Sequence, residues 1–161
     1  MHMKIRMAEE KDIPALQKLL MEVLNIHAKG RPDIFIPDTT KYTYDELLSM
    51  IKDPSTPVFT AVDENDEVMG YAMTIIKKRV HDNNMHDVMT LFIDDLCVDQ
   101  ACRGKHAGHA LYDAVCDWAK DRGFYNVTLN VWSFNEPAIR FYRSLGMKPM
   151  EYVMEQILEE K

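Results

Sequence analysis

Long apolar runs are missing from this sequence. Its longest stretch without a charged residue is 13 residues, 123–135, and that stretch carries Asn, Thr and Ser. A membrane-crossing helix needs about 20 mostly apolar residues, so none is expected and no membrane partner is foreseen. Basic charge is also in deficit. Lys and Arg number 19 against 26 Asp and Glu, a net charge of −7. Binding nucleic acid through its phosphates needs a basic face, which this balance disfavours. Cysteine is scarce: Cys97, Cys102 and Cys116 form no CxxC pair. Disulfides and a zinc site are poor readings, and free thiols in a reducing compartment fit better. Residues 1–11 carry charges of both signs rather than the basic-then-apolar opening of a secretory signal, so a cytoplasmic location is the expectation. What remains is ordinary for a globular protein: 161 residues, 47% hydrophobic and 28% charged. That length makes one domain with a core of its own. The 12 methionines read as pliable core filling.

Periodicity sets out the elements. Residues 4–7 read as a strand, and Asp12 reads as the N-cap of a helix with Pro14 in its first turn. Ile13, Leu16, Leu20, Val23, Leu24 and His27 recur at helical spacing until Gly30-Arg31-Pro32. Thr43 and Glu46 form a capping box for a short second helix to about residue 52. Residues 58–62 and 67–78 are β-rich around Asp63-Glu64-Asn65-Asp66, an antiparallel hairpin. A polar loop at 80–87 leads to a strand at 88–98. A helix at about 105–122, a strand at 126–131, a short helix capped by Asn135 and ended by Gly146, and a last strand at 147–158 complete the chain. The order β-α-α-β-β-β-α-β-α-β predicts an α/β fold with a mixed central sheet flanked by helices.

Residues 91–111 are the most informative segment. A β-rich strand ends at Val98, a turn of small and basic residues follows, and a helix begins. Arg103, Lys105, His106 and His109 face a single acid, Asp99, within residues 99–109. Helix N-termini offer unpaired N–H groups and partial positive charge, and glycine lets a backbone approach a phosphate closely. Either an anion docks here or this is a plain turn with a solvated basic rim. The Walker and GxGxxG patterns are both absent.

Arg103-Gly104-Lys105-His106-Ala107-Gly108 resembles the pyrophosphate motif Q/R-x-x-G-x-G/A of the GNAT superfamily of N-acetyltransferases. The preceding Ile93-Asp94-Asp95-Leu96-Cys97-Val98 resembles that superfamily's central strand. Asn135 to Met147, with Ala138, Tyr142 and Gly146, resembles its N-x-x-A-x-x-x-Y/F-x-x-x-G-F segment. Element order matches over essentially the whole chain, which implies a single GNAT-type domain, 1–161. One departure is His106, which stands where the family has its first motif glycine.

The resemblance implies acetyl transfer from acetyl-CoA to an amine by direct attack in a ternary complex. It places the coenzyme on the backbone of Leu96, Cys97 and Val98, on Arg103 through His109, and on Asn135, Ala138 and Tyr142. An alkylammonium of pKa near 10.4 costs roughly 4.6 kcal/mol to deprotonate at pH 7, a task for a carboxylate acting directly or through water. Asp94 and Asp95 are the candidates. Alternation sends neighbouring side chains to opposite faces, so at most one faces the substrate, and Asp94 shares parity with Leu96 and Val98. The other reading makes both carboxylates partners of nearby basic groups. Tyr142 lies where the family's general acid sits, or else is a core tyrosine. Asn135 is a plain cap or a coenzyme contact. Asp33, Phe35 and Tyr44 lie where the family shapes its acceptor pocket, alongside Asp94, or else belong to a structural Pro turn.

No metal is expected: His81, Asp82, His86 and Asp87 lack a familiar ligand spacing. Cys97 and Cys102 read as bystander thiols. The acceptor class stays open among small amines, polyamines, aminoglycosides, amino acids and proteins, and a homodimer is implied by resemblance alone. A non-catalytic acyl-CoA-binding sensor or assembly protein of the same fold shares every one of these features, and differs in releasing no thiol.

Overall fold

The structure is a computed structural model that describes residues 2–159. The chain divides into two compact units, Met1–Asn130 and Val131–Lys161. In the first, β1 (Lys4–Met7), α1 (Ile13–Gly30), α2 (Tyr44–Lys52), β2 (Val58–Val62), β3 (Val68–Arg79), β4 (Val88–Val98), α3 (Ala107–Asp121) and β5 (Asn126–Leu129) follow one another. The sheet order is β1-β2-β3-β4-β5. Neighbours are antiparallel from β1 to β4, and β4 with β5 is parallel. The α/β class and the mixed sheet are as the sequence predicts.

The β2 run is buried along its whole length, because the sheet is covered on both faces. On one face Ile13, Leu16, Leu19 and Leu20 of α1 and Leu47 of α2 pack against Val58, Tyr71, Met73 and Cys97. On the other, Ala107, Leu111, Val115 and Ala119 of α3 pack against Phe59, Ala61, Ala72, Leu91 and Ile93. Each fully buried leucine of this kind contributes about 1.5–3 kcal/mol. The capping box of α2 forms as expected: Glu46 N–H donates to Thr43 Oγ1 at 3.2 Å and Thr43 N–H to Glu46 Oε1 at 3.1 Å.

Two expectations are corrected. Asp12 makes no cap bond to α1. It is buried, and its carboxylate accepts from both terminal nitrogens of Arg6, at 2.8 and 3.0 Å, and from the Glu9 N–H at 2.8 Å. A guanidinium within reach outcompetes helix capping for that carboxylate.

The second correction falls in the second unit. There α4 (Glu136–Ser144) is capped by Asn135, whose Oδ1 accepts from Ala138 N–H at 3.4 Å, and Gly146 closes the helix at φ +95°. The strand expected at 147–158 is absent: those residues form neither helix nor strand. Alternating hydrophobicity supplies a strand's side chains but not its hydrogen-bonding neighbour, and without one the ladder does not form.

Candidate active site at the end of the central strand

The register between β3 and β4 shifts once. Met73 pairs with Asp95 and Thr74 with Ile93, so Asp94 is an extra residue in β4. A bulge of this kind reverses the alternation downstream. Before it, Leu91 and Ile93 face α3; after it, Leu96 and Val98 do, while Cys97 faces α1. Asp94 and Asp95 therefore reach the same side. This overturns the expectation that they point to opposite faces and that Asp94 follows Leu96 and Val98.

The partners of the two carboxylates confirm the geometry. Asp94 Oδ2 accepts from Tyr42 OH at 2.5 Å, and its Oδ1 lies 3.1 Å from Lys41 Nζ. Asp95 Oδ2 accepts from the buried Tyr71 OH at 3.0 Å. Burial pushes the Asp95 carboxyl up to about 6, Asp94 adds to the rise, and Lys41 and Tyr71 pull against it. Burial and the neighbouring carboxylates also hold the phenols of Tyr42 and Tyr71 above their ordinary value. The Cys97 thiol, buried with its Sγ 3.8 Å from the Leu19 carbonyl, is pushed up to about 12 by burial and then by Asp95. A thiol so held is no nucleophile at neutral pH, in keeping with the bystander reading.

β5 pairs with β4 only at residues 90–93. Residues 94–98, with Leu96, Cys97 and Val98, have β3 on one side and no strand on the other among the described residues. Immediately beyond, the chain turns through residues 100–102 and enters α3. Gly104 sits at φ +83°, with nothing within 4 Å of where a Cβ would stand. His106 is left-handed at φ +62° and N-caps α3 without a side-chain bond. Arg103, Lys105 and His109 are exposed around this turn, Ala107 opens the helix and is buried in the core, and Gly108 follows in the first turn. Exposed cations, an open backbone and the first N–H groups of a 15-residue helix fit a phosphate-bearing ligand.

The residues expected near the acceptor are only partly brought together. Asp33 accepts from Arg31 at 2.9 Å, Phe35 lies 5.2 Å from the His27 ring, and Tyr44 OH donates to Glu10 at 3.2 Å. None of these contacts reaches Asp94. Tyr42 and Lys41, which sequence reasoning passed over, do reach it; a loop tyrosine has no periodicity to mark it. In the second unit Asn135 caps α4, Ala138 donates to that cap, and the half-buried Tyr142 ring lies 5.3 Å from Phe141.

Solved structures share this architecture. A tetramutant of the BH1408 protein from Bacillus halodurans superposes with a TM-score of 0.92 at 30% identity, covering 96% of this chain and 99% of that one. An aminoglycoside acetyltransferase from an uncultured soil metagenomic sample, in complex with sisomicin, gives 0.69 at 19% identity over 99% and 97% of the two chains. An aminoglycoside N-acetyltransferase in complex with CoA gives 0.70 at 17% identity over 97% and 94%. No curated protein is matched. Residues 20–147 match the model of the acetyltransferase (GNAT) family. Because that match spans most of the chain and includes the whole strand end with its turn, this protein belongs to the GNAT acetyltransferase family, whose chemistry is acyl transfer.

Proposed function

We propose that the protein is an acetyl-CoA-dependent N-acetyltransferase that passes the acetyl group directly to a primary amine in a ternary complex. The observation that carries this reading is the lysine ammonium already placed on the carboxylate pair, 3.1 Å from Asp94. A site that holds an ammonium on the chain's own side chain suits an acceptor of the same chemistry. Asp94 binds the acceptor's ammonium and takes its proton. Asp95, its carboxyl pushed up to about 6 by burial, is charged at neutral pH and sets where that ability is lost. The side of residues 94–98 that has no strand beside it among the described residues holds the pantetheine arm in the manner of an added strand, and residues 103–109 hold the pyrophosphate. Acetyl-CoA supplies an activated thioester. The resemblance assigns to the Tyr142 phenol the proton that the departing thiolate takes, and to Asn135 and Ala138 further coenzyme contacts.

The family match runs across the boundary between the two units, which supports reading 1–161 as one acetyltransferase domain. Three free cysteines support a reducing, cytoplasmic setting. The test is thiol release from acetyl-CoA over a panel of amines. Release matched by acetylated amine supports the reading, and Tyr142→Phe should then lower kcat by about 10²–10⁴ while acetyl-CoA affinity holds. Saturating acetyl-CoA at 100 times its dissociation constant should stabilise the fold by about 2.7 kcal/mol. Such stabilisation without thiol release from any amine would leave a non-catalytic acyl-CoA binder.

A further inference from the structure

Lys41 lies between α1 and α2, in residues 31–43, which form neither helix nor strand. A lysine in such a stretch ordinarily samples many rotamers in water. Here its backbone is held on both sides. Before it, Asp38 N–H donates to Asn25 Oδ1 of α1 at 2.8 Å, and Thr40 Oγ1 donates to the Tyr42 carbonyl at 3.1 Å. After it, Tyr42 packs against the α1 face of the core and donates its hydroxyl to Asp94, and Thr43 caps α2. From that held backbone the Lys41 Nζ stands 5.5 Å from the centroid of the Tyr42 ring and 3.1 Å from Asp94 Oδ1.

Anchorage does not account for this placement. Tyr42 already ties the stretch to β4 through the other oxygen of Asp94, and an exposed ion pair adds no more than about 1 kcal/mol. The lysine side chain is 44% exposed, whereas that of Asp94 is 12% exposed. A reachable amine is thus brought onto a carboxylate that solvent barely touches, at the start of the 94–98 edge.

We infer that Lys41 is itself an acetyl acceptor: acetyl-CoA seated along residues 94–98 acetylates the Nζ of Lys41 in the same chain. The inference rests on the transfer reaction proposed above and names a residue on which that reaction ends. Asp94 takes one proton from the ammonium and passes it to water. The freed lone pair attacks the thioester carbonyl carbon, the N–C bond forms and the C–S bond breaks. The nitrogen's next proton goes to the departing thiolate, so the products are a secondary amide on Lys41 and the free thiol of CoA. A tethered amine needs no binding step, and well-oriented intramolecular groups reach effective concentrations of about 10⁵ M or more. The amide is neutral and stays on the chain, so the event occurs once per molecule.

The test uses the full chain, treated with a lysine deacetylase and then given acetyl-CoA without any added amine. Intact mass and peptide mapping should show one acetyl group, on Lys41. Its rate should be independent of protein concentration and at least about 100-fold above that of the exposed Lys29, Lys52 and Lys120. Lys41→Arg should abolish the fast phase and leave only the slow acetylation of exposed lysines. Asp94→Asn should slow acetylation of Lys41 by at least about 100-fold with the far-ultraviolet circular dichroism signal intact. Acetylation of Lys41 no faster than at those exposed lysines, a rate that climbs with protein concentration, or a fast phase retained in folded Asp94→Asn overturns the inference. Transfer to an added amine with Lys41 left unmodified overturns this inference alone. Absence of thiol release both with and without amines overturns the transfer reading as well.

Discussion

In residues 90–93 of β4 the strand has β3 on one side and β5 on the other, and Leu91 and Ile93 are buried under α3. In residues 94–98 β3 continues, β5 has ended, and one extra residue has been inserted. The first stretch is structural in every position. The second holds two carboxylates on one face, a backbone edge with no strand beside it among the described residues, and the entrance to a helix N-terminus. One bulge and the early end of β5 separate these two behaviours, so the site owes more to what the backbone withholds than to an unusual sequence. The comparison can be broken by substituting either half.

The largest effect is expected at Asp94. Asp94→Asn keeps the size and one acceptor oxygen while removing the charge that, in the proposed reaction, holds the acceptor's ammonium and takes its proton. Turnover in the amine assay should fall by about 10²–10⁴, with the acetyl-CoA dissociation constant within a few-fold of wild type. In the structural half, Thr90 Oγ1 donates to Asn126 Oδ1 at 2.6 Å. Thr90→Val should cost about 1 kcal/mol in urea unfolding and leave turnover unaltered. Equal losses of turnover in the two variants would erase the distinction between the halves.

Asp95 sharpens the comparison through pH. Its folded value, about 6, lies above the ordinary carboxyl value of 3.8. Folding therefore favours its protonated form: the stability it contributes is fully present below pH 3.8 and lost as pH rises through 6. Asp95→Asn, which still offers Tyr71 an acceptor, should be more stable than wild type by about 2–3 kcal/mol at pH 8 and equal to it near pH 3.5. The acid limb of kcat/KM near pH 6 should vanish in the variant. An unaltered limb would assign it to another group.

Gly70 gives a smaller test. It pairs with Val98, and a Cβ there would stand 2.7 Å from the Cys97 carbonyl oxygen and 3.3 Å from Leu111 Cδ1. Backbone cannot yield as a side-chain tip does, so Gly70→Ala should cost about 1–3 kcal/mol. If the second half of β4 is the less constrained one, Gly70→Ala should also raise the acetyl-CoA KM, because the strand shifts where the proposed reaction seats the coenzyme. Lost stability with an untouched KM would show both halves to be equally rigid.

Much of this was legible in residue order. The hairpin, the α2 capping box, the helix after Val98 and the exposed basic turn before it follow from periodicity, caps and small residues, each a local signal. The shared face of Asp94 and Asp95 was not, because counting by two assumes an unbroken register and a bulge announces itself only through pairing with β3. Tyr42 and Lys41 were missed because their partner lies more than 50 residues away in a chain that gives loops no period. Residues 147–158 carry a strand's pattern without forming a strand, since pattern belongs to the segment and pairing to its neighbour.

The smallest effect concerns the turn that leaves the second half of β4. His106 holds φ +62°, a conformation that costs a non-glycine residue about 1–2 kcal/mol, and its side chain makes no cap bond to repay that cost. Glycine adopts the angle freely but loses about 0.5–1 kcal/mol more entropy on folding. The balance favours glycine slightly, so His106→Gly should raise the melting temperature by about 2–4 °C. Every N–H of the α3 entrance is retained in the variant, and the acetyl-CoA dissociation constant should stay within a few-fold of wild type by calorimetry. A rise of tenfold or more would assign the imidazole a contact with the coenzyme. The left-handed histidine would then be strain held for binding, and the second half of β4 would extend its differences from the first into the helix that follows it.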